Sequence, residues 1–247
     1  MQPGTTGTLY GIGIGPGDPE LLTLRAARLL KTCPVLFTVI SAHVEDSTSE
    51  AVVRSQNPQG RIVRLVFSMS MNREERVRQV QENARLIAEE LGKGQDCAYT
   101  TLGDTLSYST FGSVLPLVRE ILPDLRVEIV PGITSWSALA ARAGQVLAER
   151  KERLTIIPSF TKDMAGTLTF EPGTSTILLK TYRSRDALLR RVQEEQAQDP
   201  SLEVLYGENL TQEREFLSRN LEAIEQRPEN YLSLMLVRKK AAGKKPV

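Results

Sequence analysis

The chain up to Ala143 repeats one arrangement: an apolar run, a turn rich in glycine, proline or aspartate, and a segment with helical periodicity. The apolar runs are too short and too rich in β-branched residues for helices, so they predict strands. Strands that alternate with helices favour a doubly wound α/β fold with a parallel sheet. The predicted strands are Thr8 to Ile14, Val35 to Ile40, Arg61 to Val66, the run from Cys97 to Leu102, and Arg126 to Val130.

A charged stretch from Gln145 to Arg153 interrupts this pattern and predicts a domain boundary. We expect an N-terminal α/β domain over residues 1–146 and a smaller, mixed α/β domain over residues 147–240. Residues 241–247 form a basic tail that we expect to be disordered. The strands predicted in the second domain are Leu154 to Pro158, Ser175 to Leu179, Leu202 to Tyr206 and Tyr231 to Val237.

Composition excludes several classes of function. Thirty-one basic and 30 acidic residues leave a net charge of +1, which argues against nucleic acid or an anionic membrane as a partner. The single histidine, His43, lies in a polar stretch, so we expect neither a Ser-His-Asp arrangement nor, with only two cysteines, a metal site. No apolar run is long enough to span a bilayer and no signal peptide is recognisable, so we expect a cytoplasmic protein.

Three turns that contain glycine follow predicted strands: residues 15–18, 102–104 and 131–135. If the strands are parallel, these turns meet at one edge of the sheet, where open α/β sheets bind ligands. Gly103 would allow a close approach to a ligand. Asp104 has two interpretations, an acceptor for a ligand or neighbouring N–H groups, and a simple helix cap.

The turns do not match the two common phosphate-binding motifs. A Gly-x-Gly-x-x-Gly motif that starts at Gly11 meets Pro16, and one that starts at Gly13 meets Asp18. No Gly-Lys-Ser/Thr sequence is present either. The turns therefore favour a ligand without a polyphosphate. With so little side-chain chemistry available, transfer of an activated group between aligned reactants fits best.

Three segments resemble the motifs of the tetrapyrrole methylases, the class III S-adenosylmethionine-dependent enzymes. These segments are GTLYGIGIGPGDPELLTL at residues 7–24, TLGDTLSYSTF at residues 101–111 and VPGITSWSA at residues 130–138. The resemblance covers most of the first half of the chain, and the second half matches weakly. The family has proline after the aspartate of the second motif, where this chain has Thr105.

The resemblance implies two α/β domains with S-adenosyl-L-methionine in the cleft between them. Carried over, Gly13, Gly15 and Asp18 would face the substrate, and Asp18 is a candidate catalytic base, although the sequence identifies no base. The residues that would contact the cofactor are Pro16, Leu102, Gly103, Asp104, Tyr108, Thr134, Ser135, Leu179, Lys180, Asn209, Leu210, Leu232 and Ser233.

Within the family, the motif forms are most similar to the branch that methylates C20 of precorrin-2 or cobalt-precorrin-2 in cobalamin biosynthesis. That resemblance implies a tetrapyrrole substrate with many carboxylates, for which Arg25, Arg28, Arg183 and Arg185 are candidate ligands. It also implies a homodimer. Two alternatives stay open: a methylase of the same fold that acts at another carbon or on another substrate, and a non-catalytic α/β nucleotide-binding module.

Overall fold

The computed structural model describes residues 6–41, 47–68, 70, 72–158 and 162–241, with the backbone alone at Ser41 and Lys162. His43 and nearly all of the basic tail lie outside these ranges. Backbone contacts divide the chain into two compact units, Met1–Thr134 and Ser135–Val247. The charged stretch at which the sequence suggests a boundary follows the first helix of the second unit.

The first unit contains a five-stranded sheet in which every pairing is parallel, as the strand–helix alternation predicts. Its strand order is β3-β2-β4-β1-β5, so β1 lies between β4 and β5. The carboxyl ends of these three strands are therefore neighbours. The strands are β1 (Leu9–Gly13), β2 (Val35–Ser41), β3 (Arg61–Phe67), β4 (Cys97–Thr101) and β5 (Val127–Val130).

Helices cover both faces of this sheet. Apolar side chains of α3 (Arg73–Gly92) and α4 (Phe111–Ile121) pack with Tyr99 and Phe37 in one core cluster. Those of α1 (Leu24–Thr32) and α2 (Thr48–Ser55) pack with Ile12 and Leu36 in another. A helical layer on each face is the doubly wound arrangement that the sequence predicts.

Helix α1 begins later than its sequence suggests. Asp18 and Pro19 predict a helix start, but they form only a 3-10 turn over Pro19–Leu21, after which the backbone becomes extended at Leu22. Thr23 then caps α1, since its hydroxyl accepts a hydrogen bond from the N–H of Ala26. Both Asp18 and Thr23 are good caps, but the long helix begins only after the second of them.

The second unit is mixed α/β, as predicted. Its sheet has the order β6-β7-β10-β8-β9, with β6 parallel to β7 and the other pairs antiparallel. Helix α5 (Ser135–Ala143) packs Ala138 and Leu139 against one face of this sheet. The remaining elements are β6 (Arg153–Ile157), α6 (Lys162–Ala165), β7 (Thr174–Leu179), α7 (Arg185–Gln198), β8 (Glu203–Glu208), β9 (Phe216–Ser218), α8 (Leu221–Glu225) and β10 (Ser233–Lys239).

The helices of the described part of the chain include none that is both long enough and apolar enough to cross a membrane.

Candidate functional site

The three glycine-containing turns meet at the carboxyl edge of the first sheet. In the parallel register, Gly13 pairs with Thr101 and Ile12 pairs with Val130, so β1, β4 and β5 end at the same level. The N–H of Gly15 donates to the carbonyl of Gly103 at 3.1 Å, and the N–H of Gly103 donates back at 2.7 Å. This pair of hydrogen bonds joins the first and second turns directly through the backbone.

The glycines of the turns differ in what surrounds them. A Cβ at Gly132 would lie 2.1 Å from the carbonyl oxygen of Gly103 and 2.7 Å from the carbonyl carbon of Gly13. A Cβ at Gly13 would lie 2.5 Å from the nitrogen of Gly132. At Gly103, in contrast, a Cβ would have no atom within 4 Å, and φ is +78°. Gly13 and Gly132 therefore allow the turns to pack together, whereas Gly103 has an open side.

The carboxylate of Asp104 holds the second and third turns together. Its Oδ1 accepts a hydrogen bond from the N–H of Gly132 at 3.0 Å. Its Oδ2 accepts one from the N–H of Leu106 at 3.1 Å and one from the hydroxyl of Ser107 at 2.9 Å. Burial alone would raise the pKa of Asp104, but these hydrogen bonds outweigh it and lower the pKa below its usual value. Asp104 is therefore ionised at neutral pH and binds neighbouring N–H groups, one of the roles the sequence left open.

Hydroxyl groups of the second turn also bond within the unit. Thr105, fully buried where the family has proline, donates from its hydroxyl to the carbonyl of Val130 at 3.0 Å. Ser109 donates to the carbonyl of Thr105, and the hydroxyls of Thr110 and Tyr99 lie 2.7 Å apart. The hydroxyl of Thr105 thus links the turn to the end of β5 by a hydrogen bond that proline, which has no donor, would not provide.

Tyr108 lies on this hydrogen-bonded turn. Its side chain is 50% exposed, and its φ of +56° is unusual for a residue with a Cβ. Such backbone strain concentrates at ligand-binding segments. Leu106, 65% exposed, lies on the same turn. The turn thus exposes an aromatic ring and an apolar side chain to solvent, and both are suited to cover a bound organic ligand.

The remaining predicted residues of the first unit lie along the same three segments. Gly15 and Pro16 are buried in the first turn, and Leu102 and Thr134 are half-buried in the other two. Asp18 accepts a hydrogen bond from the N–H of Glu20 at 2.8 Å, which makes it the cap of the 3-10 turn. Its role as a base stays a prediction. Ser135 is the first residue of α5 and belongs to the second unit.

The second unit brings its own predicted residues together. Strand β10 lies between β7 and β8 and runs antiparallel to both, so its start meets their ends. The N–H of Lys180 donates to the carbonyl of Ser233, and the N–H of Asn209 donates to that of Leu232, both at 3.0 Å. The residues gathered at this edge are Leu179, Lys180, Asn209, Leu210, Leu232 and Ser233.

Backbone strain also occurs at this edge. Lys180 and Asn209 have φ values of +57° and +46°, and Thr211 has +65°. With Tyr108, three of the predicted cofactor ligands other than glycine have left-handed backbones. Because such conformations cost of order 1–3 kcal/mol each, the surrounding structure must hold them in place.

Sequence reasoning missed the groups that support the second edge. Glu215 accepts the N–H of Thr211 at 2.6 Å and is bound by the guanidinium of Arg142 on α5, at 2.6 and 2.8 Å. Burial acts to raise the pKa of Glu215, but the bonds from Arg142 and Thr211 outweigh it and lower the pKa. Glu208, fully buried and next to Asn209 in the chain, accepts hydrogen bonds from Tyr206 and Arg227. Arg142 and Glu215 are 73 residues apart, and Arg227 and Glu208 are 19 residues apart, so no local sequence pattern indicates either pair.

Two of the arginines proposed as substrate ligands are engaged elsewhere. Arg185 is buried, and its guanidinium donates to the carbonyls of Pro228 and Glu225, so it is structural. Arg25 forms an ion pair with Glu128 on β5. Arg28 and Arg183 have no carboxylate partner among the described residues.

The charges of the three turns indicate what they can hold. Residues 13–19, 101–110 and 130–135 include two aspartates and no lysine or arginine. Such turns favour a ligand that carries positive charge and is recognised by backbone groups. The open side of Gly103 is compatible with this ligand. No group of three potential metal-ligating side chains occurs within the described ranges.

The fold and these turns define a class of protein: two α/β units, the first with glycine-containing turns at neighbouring strand ends. In solved structures, the same fold occurs in the uroporphyrin-III C-methyltransferase from Thermus thermophilus, complexed with S-adenosylhomocysteine. The TM-score is 0.62 and the identity 23%, and the match covers 94% of this chain and 92% of the other.

Sequence comparisons identify the family. The pattern of the Tetrapyrrole (Corrin/Porphyrin) Methylases matches residues 8–224, so the chain belongs to this family, which uses S-adenosylmethionine as its methyl donor. The chain is 33% identical to cobalt-precorrin-2 C(20)-methyltransferase of Salmonella typhimurium, over 71% of this chain and 73% of that one. It is 35% identical to the probable cobalt-precorrin-2 C(20)-methyltransferase of Methanocaldococcus jannaschii, over 61% and 63%.

Proposed function

We propose that this protein transfers a methyl group from S-adenosylmethionine to C20 of precorrin-2 or cobalt-precorrin-2, in cobalamin biosynthesis. The observation that carries the proposal is the set of three cation-free turns at neighbouring ends of parallel strands. The C20 position is supported by the two relatives, whose names give that activity, and by the forms of the first two motifs. We further propose that the enzyme is homodimeric, as the resemblance implies, and cytoplasmic, as the sequence suggests.

When bound, S-adenosylmethionine supplies an electrophilic methyl group. In our proposal, the backbone at Leu102 and Gly103 binds the cofactor on the open side of the turn. Asp104 keeps that turn in place and adds a negative charge near a cationic ligand. Tyr108 covers the ligand and excludes water. Thr134 and Ser135 offer hydroxyl and backbone groups from the third turn and the start of α5.

The second unit contributes a matching set of contacts in this proposal. Lys180, Asn209 and Leu210 follow strands, Leu232 precedes β10 and Ser233 begins it, so their backbone groups are held at a sheet edge. Buried Leu179 and Leu210 form an apolar surface beneath this edge, suited to one face of an adenine ring. Gly13, Gly15 and Asp18 are proposed to face the tetrapyrrole, with Asp18 as a candidate base for the departing meso proton.

The test is a methyl-transfer assay with isotopically labelled S-adenosylmethionine on precorrin-2, with and without inserted cobalt. A product methylated at C20, located by NMR, supports the proposal, and the preferred substrate shows which pathway the enzyme serves. A product methylated at a different carbon supports a same-fold methylase of other specificity. If calorimetry detects no binding of S-adenosylhomocysteine, both methylase hypotheses fail and the non-catalytic nucleotide-binding module becomes the better account.

A further inference from the structure

A cluster of two cations and two tyrosines lies beside the predicted cofactor edge of the second unit. The ammonium of Lys180 is 5.5 Å from the ring centre of Tyr231. The rings of Tyr231 and Tyr182 meet edge to face with centres 5.6 Å apart. The guanidinium of Arg183 is 5.2 Å from the ring centre of Tyr182. Each of these four side chains therefore contacts the next, with the two cations as the first and last members, and we call the set the cation–tyrosine row.

Neither cation of the row is neutralised. Among the residues that the structure describes, Lys180 and Arg183 have no carboxylate within ion-pair distance, and both are exposed. Other cations of the same unit are paired: Arg227 with Glu208, Arg142 with Glu215, and Lys239 with Glu195. The tyrosine rings hold the two cations without cancelling their charge, since a ring quadrupole attracts a cation but carries no net charge.

Hydrogen bonds hold the backbone from which Lys180 and Arg183 of the row extend. Lys180 adopts φ +57°, and its N–H donates to the carbonyl of Ser233. The next residue, Thr181, is fully buried, and its hydroxyl lies 3.1 Å from that of Ser233. The backbone between the two cations is thus fixed to the start of β10. Positive charges that are held in place lose less entropy when they bind an anion than charges on mobile side chains.

We propose that the cation–tyrosine row is a carboxylate-recognition site for the acidic side chains of the tetrapyrrole substrate. This inference rests on the proposed function. A ligand that binds both cations of the row at once carries at least two anionic groups, because each cation contacts a different tyrosine ring. A flat, polycarboxylated macrocycle meets this requirement, and the tyrosine rings offer contact for its apolar parts. The net charge of +1 disfavours nucleic acid as the polyanion.

The test measures polycarboxylate binding independently of methyl transfer. Uroporphyrin, a fluorescent porphyrin with carboxylates around its rim, is titrated against the full-length protein and the variants Arg183→Met and Tyr182→Leu. Lys180 is left intact, because it is also a predicted cofactor ligand. The matched control is Arg190→Met on α7, an exposed arginine with no carboxylate partner among the described residues, outside the row. Calorimetry with S-adenosylhomocysteine is run on each protein.

We expect Arg183→Met to weaken uroporphyrin binding by roughly fivefold, with the difference shrinking as salt rises. Tyr182→Leu should weaken it as well, and Arg190→Met should leave it unchanged. S-adenosylhomocysteine affinity should be equal in all variants, which also shows that they are folded. The inference is overturned if Arg183→Met binds as the wild type does, if Arg190→Met is weakened equally, or if the wild type does not bind uroporphyrin. Arginine-dependent uroporphyrin binding without C20 methylation would overturn the proposed function alone.

Discussion

A pair of glycine substitutions separates the structural and ligand-binding roles of the turns. In Gly132→Ala, the new methyl group would lie 2.1 Å from the carbonyl oxygen of Gly103 and 2.8 Å from the Cα of Gly13. All these atoms are backbone, so no side chain can rotate away. Overpacking in a rigid core costs about 1–3 kcal/mol, and we expect a value at the upper end of that range.

In Gly103→Ala, the new methyl group meets no atom within 4 Å. The cost is that of alanine at φ +78°, about 1–2 kcal/mol. The methyl group would, however, occupy the open side of the turn, where we propose that the cofactor binds. Gly103→Ala should therefore remain folded at room temperature and lose most of its affinity for S-adenosylhomocysteine.

Urea unfolding and calorimetry measure the two effects. Gly132→Ala should have the larger loss of unfolding free energy, and Gly103→Ala the larger loss of affinity relative to its loss of stability. The matched control is Gly112→Ala, in α4, where the added Cβ meets no atom within 4 Å. It should lower neither the free energy of unfolding nor the affinity for S-adenosylhomocysteine. Full cofactor affinity in a folded Gly103→Ala protein would refute the assignment of that open side to the ligand.

Three further substitutions test the supports of the site. Asp104→Asn should cost about 1–3 kcal/mol of stability at pH 7, because one of three N–H or hydroxyl donors loses its acceptor. Because the folded pKa of Asp104 is lowered, this contribution is complete above the unfolded pKa of about 3.9 and is lost as the pH falls below it. Urea titrations should therefore show a constant gap from pH 6 to 8 that narrows in acid, and a gap that persists in acid would contradict the account. Thr105→Val, nearly equal in volume, should cost about 1 kcal/mol by removing the bond to Val130, and an unchanged midpoint in urea would show that this tie is unimportant. Glu215→Gln should lower S-adenosylhomocysteine affinity severalfold by removing the ion pair with Arg142 that positions this side chain against Thr211, whereas Glu213→Gln, two residues away, should not. Equal affinities of the two variants would show that Glu215 does not support the binding edge.

The layout of the first unit was predictable because its signals are local. Apolar runs of the right length became parallel strands, and the turns that follow β1, β4 and β5 met as expected. The start of α1 was predicted wrongly, since Asp18 and Thr23 are both good caps and only packing decides between them. Short elements such as β9 and α6 carry too few residues for a clear periodicity and were not predicted.

The supports of the site could not be predicted. That Asp104 binds Gly132, and that Thr105 binds Val130, depends on β1 being the neighbour of both β4 and β5. The resemblance also made Arg185 a candidate substrate ligand, but this first residue of α7 is buried, which the sequence alone does not indicate. Long-range order of strands, rather than local pattern, determines which polar groups are left for a ligand.

The most direct test of the central claim is the position of the methyl group in the product. After incubation with labelled S-adenosylmethionine and precorrin-2 or cobalt-precorrin-2, the account predicts one new methyl group at C20 and equimolar release of S-adenosylhomocysteine. A methyl group at any other carbon would contradict the proposed specificity. No transfer to either substrate, together with no calorimetric binding of S-adenosylhomocysteine, would contradict the assignment of the three turns to this cofactor.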